Sequence, residues 1–221
     1  MPPLITFIGW HNSGKTTFIC EVIRHLTSRG FRVGVIKSSK EKGIRFDTSG
    51  TDTDRLAMAG ADGVAFVAPD QAVTLGKNRG LSLPVMAHRF FPDMDLVIGE
   101  GFKNADDVDK IEVTGGRDGQ NLREEDSGVV AVVTDGPAEG FPRFRPDEHG
   151  RLADFLEEHY ILKNRYLAST FLAVNGKKIS LTGFLQDCLA GTVHGFVSSL
   201  RNTDGAELIE ISITIPKGNR K

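Results

Sequence analysis

Short apolar runs alternate along this chain with segments in which apolar residues recur every three or four positions. The runs are typical of buried parallel strands, and the periodic segments are typical of helices that cover a sheet. The predicted strands are Leu4–Ile8, Arg32–Lys37, Gly63–Ala68, Asp95–Glu100, Lys110–Val113 and Val129–Thr134. The predicted helices are Lys15–Arg29, Thr53–Ala59 and Gly150–Leu162. This alternation predicts an α/β domain, doubly wound around a mainly parallel sheet.

The pattern changes near Lys163, and we place a domain boundary there, with residues 1–163 before it and 164–221 after it. The later part predicts a small α+β extension, because a helical segment, Thr182–Leu200, lies between two strand-like runs. Those runs are Tyr166–Val174 and Glu207–Ile215, and Asn175-Gly176 predicts a hairpin turn after the first. A piece of about 60 residues buries little core, so we expect it to dock on the main domain or on another subunit.

The segment from Gly9 to Thr17 joins the first predicted strand to the first predicted helix and reads G-x-x-x-x-G-K-[ST]. Glycines let successive amide hydrogens point at phosphate oxygens, and the helix N-terminus adds partial positive charge. We expect Lys15 to contact the terminal phosphates and Thr16 to bind Mg²⁺. The predicted nucleotide contacts are Gly9, His11, Asn12, Ser13, Gly14, Lys15, Thr16 and Thr17. The sequence therefore predicts a P-loop NTPase fold.

Acidic residues near the predicted strand ends are candidate partners of the metal and the base. Glu100 ends an apolar strand, as a Walker-B acid does, and we assign catalytic roles to it and Lys15. Asp47 and Asp52 lie in an irregular loop, where they are candidate metal ligands or ordinary surface residues. Asp135 follows the last strand of the main domain, so it predicts either a guanine-reading acid or an Asp-Gly turn.

Composition excludes several other classes of function. The net charge is −2 over 221 residues, which offers no basic surface for nucleic acid. Cys20 and Cys188 lack zinc-site spacing. No apolar run reaches the roughly 18 residues that a membrane span needs, and no charged leader precedes the first strand. We expect a cytoplasmic protein with no membrane partner.

Taken together, the motifs resemble the MobB family, the molybdopterin-guanine dinucleotide biosynthesis adaptors. The Glu100-Gly101-Phe102-Lys103 string is the most characteristic part of the resemblance. The other stretches are Gly9–Thr17, Val35–Lys37 with the loop to Thr53, Ala57–Asp62 and Lys110–Val113. One departure is Ser38-Ser39, where family members usually carry histidines, so any role of those histidines does not transfer to this chain.

The resemblance implies a GTP- and Mg²⁺-binding protein, commonly a homodimer, with weak GTPase activity. Its implied partners are a MobA-type guanylyltransferase, which joins GMP to molybdopterin, and molybdopterin or a molybdoenzyme client. Gly9, Gly14, Lys15 and Thr16 match the family's phosphate loop, Glu100 its Walker-B-like acid, and Asp47 and Asp52 the acids after the second strand. The family's minimal form ends near residue 160, which leaves the extension without an implied role.

Two other functions agree with the same residues. In a small-molecule P-loop kinase, Lys40–Asp52 would be a lid, and Arg45 and Arg55 are available to cover the phosphates. In a non-catalytic, nucleotide-gated scaffold, the extension would capture a molybdoenzyme or the guanylyltransferase through an apolar helix face. That face comprises Phe184, Leu189, Val193 and Phe196.

Overall fold

The computed structural model describes residues 2–44, 48–115, 122, 128–163, 170–203, 205–206 and 208–213. The chain forms two compact units. The first comprises residues 1–167 and 173–178, and the second comprises residues 168–172 and 179–221. The boundary that we place after residue 163 stays a prediction.

The strands and helices follow one another in an order close to the predicted alternation. The strands are β1 (Leu4–Ile8), β2 (Val33–Lys37), β3 (Gly63–Val67), β4 (Ala72–Gly76), β5 (Leu96–Glu100), β6 (Asp109–Val113), β7 (Val129–Val133), β8 (Arg143–Phe144), β9 (Leu172–Val174) and β10 (Lys177–Ile179). The helices are α1 (Lys15–Ser28), α2 (Asp52–Met58), α3 (Leu83–Phe90), α4 (His149–Leu156), which continues as a π-helical segment (Glu157–Leu162), and α5 (Gly183–Val197).

The first unit is built on a six-stranded sheet in the order β2-β5-β1-β6-β7-β8, and every neighbouring pair is parallel. All five residues of β5 are buried, as expected for a central strand covered on both faces. The predicted α/β fold with a mainly parallel sheet is therefore confirmed. Parallel strands end at one edge, so the ends of β1, β2, β5 and β6 lie side by side there.

One face of this sheet packs against α1 and α4. Alternate residues of the strands point to this face, as the pleat requires. The buried cluster contains Ile5, Phe7, Leu96, Ile98, Ile111 and Val113 from the strands, Phe18, Val22 and Leu26 from α1, and Leu152 and Leu156 from α4. Because α1 is anchored along its length, its N-terminus has a fixed position at the strand ends.

The prediction that Gly63–Ala68 is a buried parallel strand is wrong. β3 pairs with β4 in an antiparallel hairpin outside the main sheet, and most of its residues are exposed. Only residues 68–71 separate the two strands, and a parallel pair needs a crossover of roughly a dozen residues or more. Helix α3 was not predicted either, although Pro84 in its first turn favours a helix start there.

The C-terminal elements agree with the predicted ones in part. The turn predicted at Asn175-Gly176 is confirmed: both residues have positive φ, 50° and 79°, between β9 and β10. The predicted helix is present as α5, but none of its residues is buried. The described positions within Glu207–Ile215, residues 208–213, form no strand. Within the described part of the chain, no helix is both long and apolar enough to cross a bilayer.

Substitution of Gly99 tests the packing between β1 and β5. A Cβ atom on Gly99 would lie 2.6 Å from Thr6 Oγ1 and 3.1 Å from Leu83 Cδ2. We expect Gly99→Ala to lower the free energy of unfolding by about 1–3 kcal/mol through overpacking, as measured by urea denaturation. Gly150→Ala is the control, because its Cβ would meet only the His25 ring at 3.5 Å. Equal stability of the two variants would contradict this packing.

Candidate functional site

The loop between β1 and α1 depends on backbone angles that favour glycine. Gly9 and Gly14 have φ values of 150° and 83°, and Asn12 has a φ of 61°. A Cβ atom on Gly9 would lie 2.3 Å from the carbonyl oxygen of Val113, so the loop begins in direct contact with the end of β6. The Phe18 amide donates to the Gly14 carbonyl at 3.0 Å, which starts α1 directly after the loop.

The Lys15 side chain crosses this loop. Its Nζ donates to the carbonyl oxygens of Gly9 at 3.0 Å and Trp10 at 2.6 Å, and to Ser13 Oγ at 3.2 Å. Burial lowers the pKa of the Lys15 ammonium; the charge of Glu100 opposes this shift and that of Lys37 adds to it. The arrangement holds a positive charge among the loop atoms that are expected to surround phosphate.

Thr16, Glu100 and Lys37 form a second cluster beside the loop. Thr16 Oγ1 donates to Glu100 Oε1 at 2.6 Å, and Lys37 Nζ lies 3.0 Å from the same carboxylate oxygen and 3.3 Å from Thr16 Oγ1. The sheet register brings them together, because Glu100 is the parallel-pair partner of both Phe7 in β1 and Lys37 in β2. Two of the side chains that the sequence predicts for the metal, Thr16 and Glu100, therefore contact each other directly.

The Thr16 and Glu100 oxygens fit a magnesium ion. Mg²⁺ prefers hard oxygen ligands at about 2.0–2.1 Å, which places neighbouring ligand atoms about 2.9 Å apart, close to the 2.6 Å observed. Among the described residues, no group of three His, Cys, Asp or Glu side chains is arranged to hold a metal ion. A metal at this site would thus be completed by phosphate oxygens and water, as is usual for Mg²⁺.

Backbone contacts fix the position of Glu100. The Ser38 amide donates to the Glu100 carbonyl at 2.9 Å, and the Gly101 amide donates to the Phe7 carbonyl at 2.9 Å. Thr6 Oγ1 donates to the Gly101 carbonyl at 3.0 Å. Gly101 itself has a φ of 94°, which turns the chain away from the strand directly after the acid. The carboxylate is therefore held at the sheet edge by contacts to both neighbouring strands.

The other predicted site residues lie in less constrained positions. Asp52 begins α2 with a side chain that is 96% exposed and 3.6 Å from Arg55 Nη1. Asp135 is exposed after β7, and Asp47 lies outside the described residues. In the described part of the chain, no hydrogen bond or ion pair links Asp52 or Asp135 to Glu100. Of the remaining loop residues, His11, Asn12 and Thr17 are exposed and Ser13 is buried.

Gly115 supports the loop, and sequence reasoning missed it. Its φ is 62°, and a Cβ atom there would lie 2.5 Å from Ser13 Cα. Gly115 comes two residues after β6, which is the neighbour of β1 in the sheet. A glycine just beyond a predicted strand was the available signal, but its meaning depends on the strand order.

Comparison with known proteins agrees with this geometry. Residues 4–135 match the family model described as molybdopterin guanine dinucleotide synthesis protein B, MobB. The chain belongs to the MobB family. The adapter protein of molybdopterin-guanine dinucleotide biosynthesis from Escherichia coli K12 is 35% identical over 146 residues, which are 62% of this chain and 81% of the relative. The corresponding Haemophilus influenzae protein is 34% identical over 139 residues, 62% of this chain and 77% of the relative.

Solved structures of MobB proteins share the fold. The crystal structure of a molybdopterin-guanine biosynthesis protein B is 29% identical, with a TM-score of 0.57, and covers 70% of this chain and 97% of its own. Bacillus subtilis MobB, at 24% identity and a TM-score of 0.57, covers 71% of this chain and 96% of its own, and it supports the fold alone.

Gly115→Ala tests the support that β6 gives to the loop. The added methyl group would collide with Ser13, so we expect nucleotide affinity to fall at least about tenfold, or roughly 1.4 kcal/mol, measured by calorimetry. Gly128→Ala is the matched control: its φ is also positive, 100°, but its Cβ would meet only the Val108 carbonyl, at 3.4 Å. A similar loss of affinity in both variants would show that backbone strain, and not contact with the loop, is responsible.

Proposed function

We propose that this protein binds GTP and Mg²⁺ at the loop between β1 and α1 and acts as an adapter in the biosynthesis of molybdopterin guanine dinucleotide. The observation that carries the proposal is the junction of Lys15, Thr16 and Glu100 at the edge of a sheet of the MobB family. The E. coli and H. influenzae relatives are both named as adapters of that pathway.

The residues divide the work of holding the nucleotide. Lys15 neutralises the terminal phosphates, and the loop amides and the N-terminus of α1 hold the phosphate oxygens. Thr16 and Glu100 are the residues that would hold Mg²⁺, which supplies charge neutralisation at the phosphates when bound. The hydrogen bond from Thr16 places the Glu100 carboxylate where it would hold the metal. The MobB family resemblance is the reason that we expect only weak GTP hydrolysis.

Selection of guanine is assigned to Asp135. This residue follows β7, which is two strands from β1 in the sheet, and its side chain is exposed at the edge where the loop lies. A carboxylate there accepts hydrogen bonds from N1 and N2 of guanine, which adenine does not offer in the same positions. Asp47 and Asp52, which the family resemblance matches to the acids after the second strand, keep their proposed role as additional metal ligands.

The proposed partners are a MobA-type guanylyltransferase in the cytoplasm, molybdopterin or a molybdoenzyme client, and a second copy of this chain. A homodimer is supported by apolar side chains that α2, β3 and β4 leave in solvent. The exposed residues are Leu56, Met58, Phe66, Val67 and Val73. An isolated two-stranded hairpin is marginally stable in water, so burial of this surface against a second copy would stabilise it.

Nucleotide titration of the purified protein tests the proposed function. We expect GTP to bind more tightly than ATP, and GTP together with the guanylyltransferase to increase dinucleotide formation from molybdopterin. Lys15→Ala removes the cation within the loop and should abolish both effects. Preference for ATP with phosphate transfer to an added metabolite would instead support a P-loop kinase and contradict the adapter role.

Sedimentation equilibrium tests the homodimer. Phe66→Glu places a charge on the exposed hairpin, so we expect the variant to be monomeric at concentrations where the unaltered chain is dimeric. Phe184→Glu makes the same change at an exposed position of α5 and should leave the dimer intact. Dissociation by Phe184→Glu alone would assign dimerisation to the extension.

A further inference from the structure

Lys37 has no place in the phosphate-loop motif, yet it contacts two of the residues proposed to act there. It is the last residue of β2, and its backbone pairs with Glu100 across the parallel ladder. Its Nζ lies 3.0 Å from Glu100 Oε1 and 3.3 Å from Thr16 Oγ1. A lysine ammonium is a compact positive charge with three donors, so it satisfies both oxygens at once.

These two oxygens are the same atoms that the proposed function assigns to magnesium. We propose that Lys37 is a built-in cation that competes with the divalent metal for the Thr16–Glu100 pair. Lys37 is thus a positioning residue that sets the magnesium concentration at which the nucleotide binds. This inference rests on the proposed function, because it concerns the same site.

The two partners of the ion pair differ in their access to water. The Glu100 side chain is 11% exposed, whereas that of Lys37 is 58% exposed. A buried carboxylate is costly unless a cation accompanies it, but an exposed ammonium loses little when it returns to solvent. The structure therefore allows Lys37 to leave when another cation arrives, while Glu100 stays in place with its charge compensated in both states.

The contact also links the metal site to the segment after β2. Ser38 follows Lys37 directly, and its amide donates to the Glu100 carbonyl at 2.9 Å. Its Cβ would lie 3.1 Å from a side chain added at Gly101. Displacement of the Lys37 side chain would thus occur directly beside the backbone contact between Ser38 and Glu100.

A direct contact of Lys37 with phosphate is the competing explanation, and it makes a different prediction. A lysine that only binds phosphate strengthens GTP binding at every magnesium concentration, so its loss lowers affinity without moving the magnesium midpoint. A lysine that competes with the metal raises the half-saturating Mg²⁺ concentration for GTP binding. Removal of such a lysine therefore lowers that concentration.

GTP binding measured by calorimetry over a series of magnesium concentrations tests this inference. In Lys37→Met, which keeps the length of the side chain, we expect the half-saturating Mg²⁺ concentration to fall roughly fivefold, the scale of a partly exposed ion pair. Binding of GTP without magnesium should weaken in the same variant, because the carboxylate is then left without its cation.

Two further variants are the controls. Lys37→Arg retains the charge and should restore most of the original half-saturating Mg²⁺ concentration. Lys40→Met removes an exposed charge three residues further on and is the control, which should behave as the unaltered chain does.

The outcomes separate the two proposals. An unchanged or raised midpoint in Lys37→Met, with normal GTP binding by the unaltered chain, overturns the role of Lys37 and leaves the proposed function standing. Failure of the unaltered chain to bind either GTP or ATP overturns the proposed function itself, and the role of Lys37 with it. A lowered midpoint in Lys40→Met as well would also overturn the inference, because the effect would then reflect general surface charge.

Discussion

The hydrogen bond between Thr16 and Glu100 is the contact on which the candidate site depends. It joins the first turn of α1 to the end of β5, two elements far apart in the sequence. A short distance is possible only because α1 is packed along the sheet through Phe18, Val22 and Leu26, and because β5 lies beside β1. The hydrophobic core thus determines where two polar atoms meet, and the chemistry of the site follows from that position.

Charge balance explains why the cluster carries two lysines around one carboxylate. Burial lowers the pKa of Lys15, while Glu100 opposes that shift and Lys37 reinforces it. In the alkaline range just below the usual lysine pKa, Lys15 therefore binds more protons in the unfolded chain than in the folded chain. The destabilisation due to Lys15 consequently becomes smaller as the pH rises through that range. Binding of phosphate at the loop, as proposed above, would offset this cost, because it would bring negative charge to the Lys15 ammonium.

Local signals in the sequence predicted the loop, α1 and the acid at the end of β5, because each is a short pattern with a direct structural meaning. Long-range relations were beyond that reasoning. The contacts of Gly115 with Ser13 and of Lys37 with Glu100 depend on which strands are neighbours in the sheet. The spacing of apolar residues along the chain does not give that strand order. The prediction for β3 was wrong for another reason, because an apolar run alone does not distinguish a central strand from an exposed one.

The hairpin has a further consequence for how the chain tolerates change. β2 and β5 hydrogen-bond to each other directly, although the chain between them leaves the sheet to form α2, the hairpin and α3. Residues 63–76 therefore lie outside the hydrogen-bonded ladder of the main sheet, which holds the loop between β1 and α1. Insertions or replacements there would alter the outer surface while the register of β2, β5 and β1 stays intact. Residue changes in this hairpin would therefore act on the surface that it exposes, and not on the contact between Thr16 and Glu100.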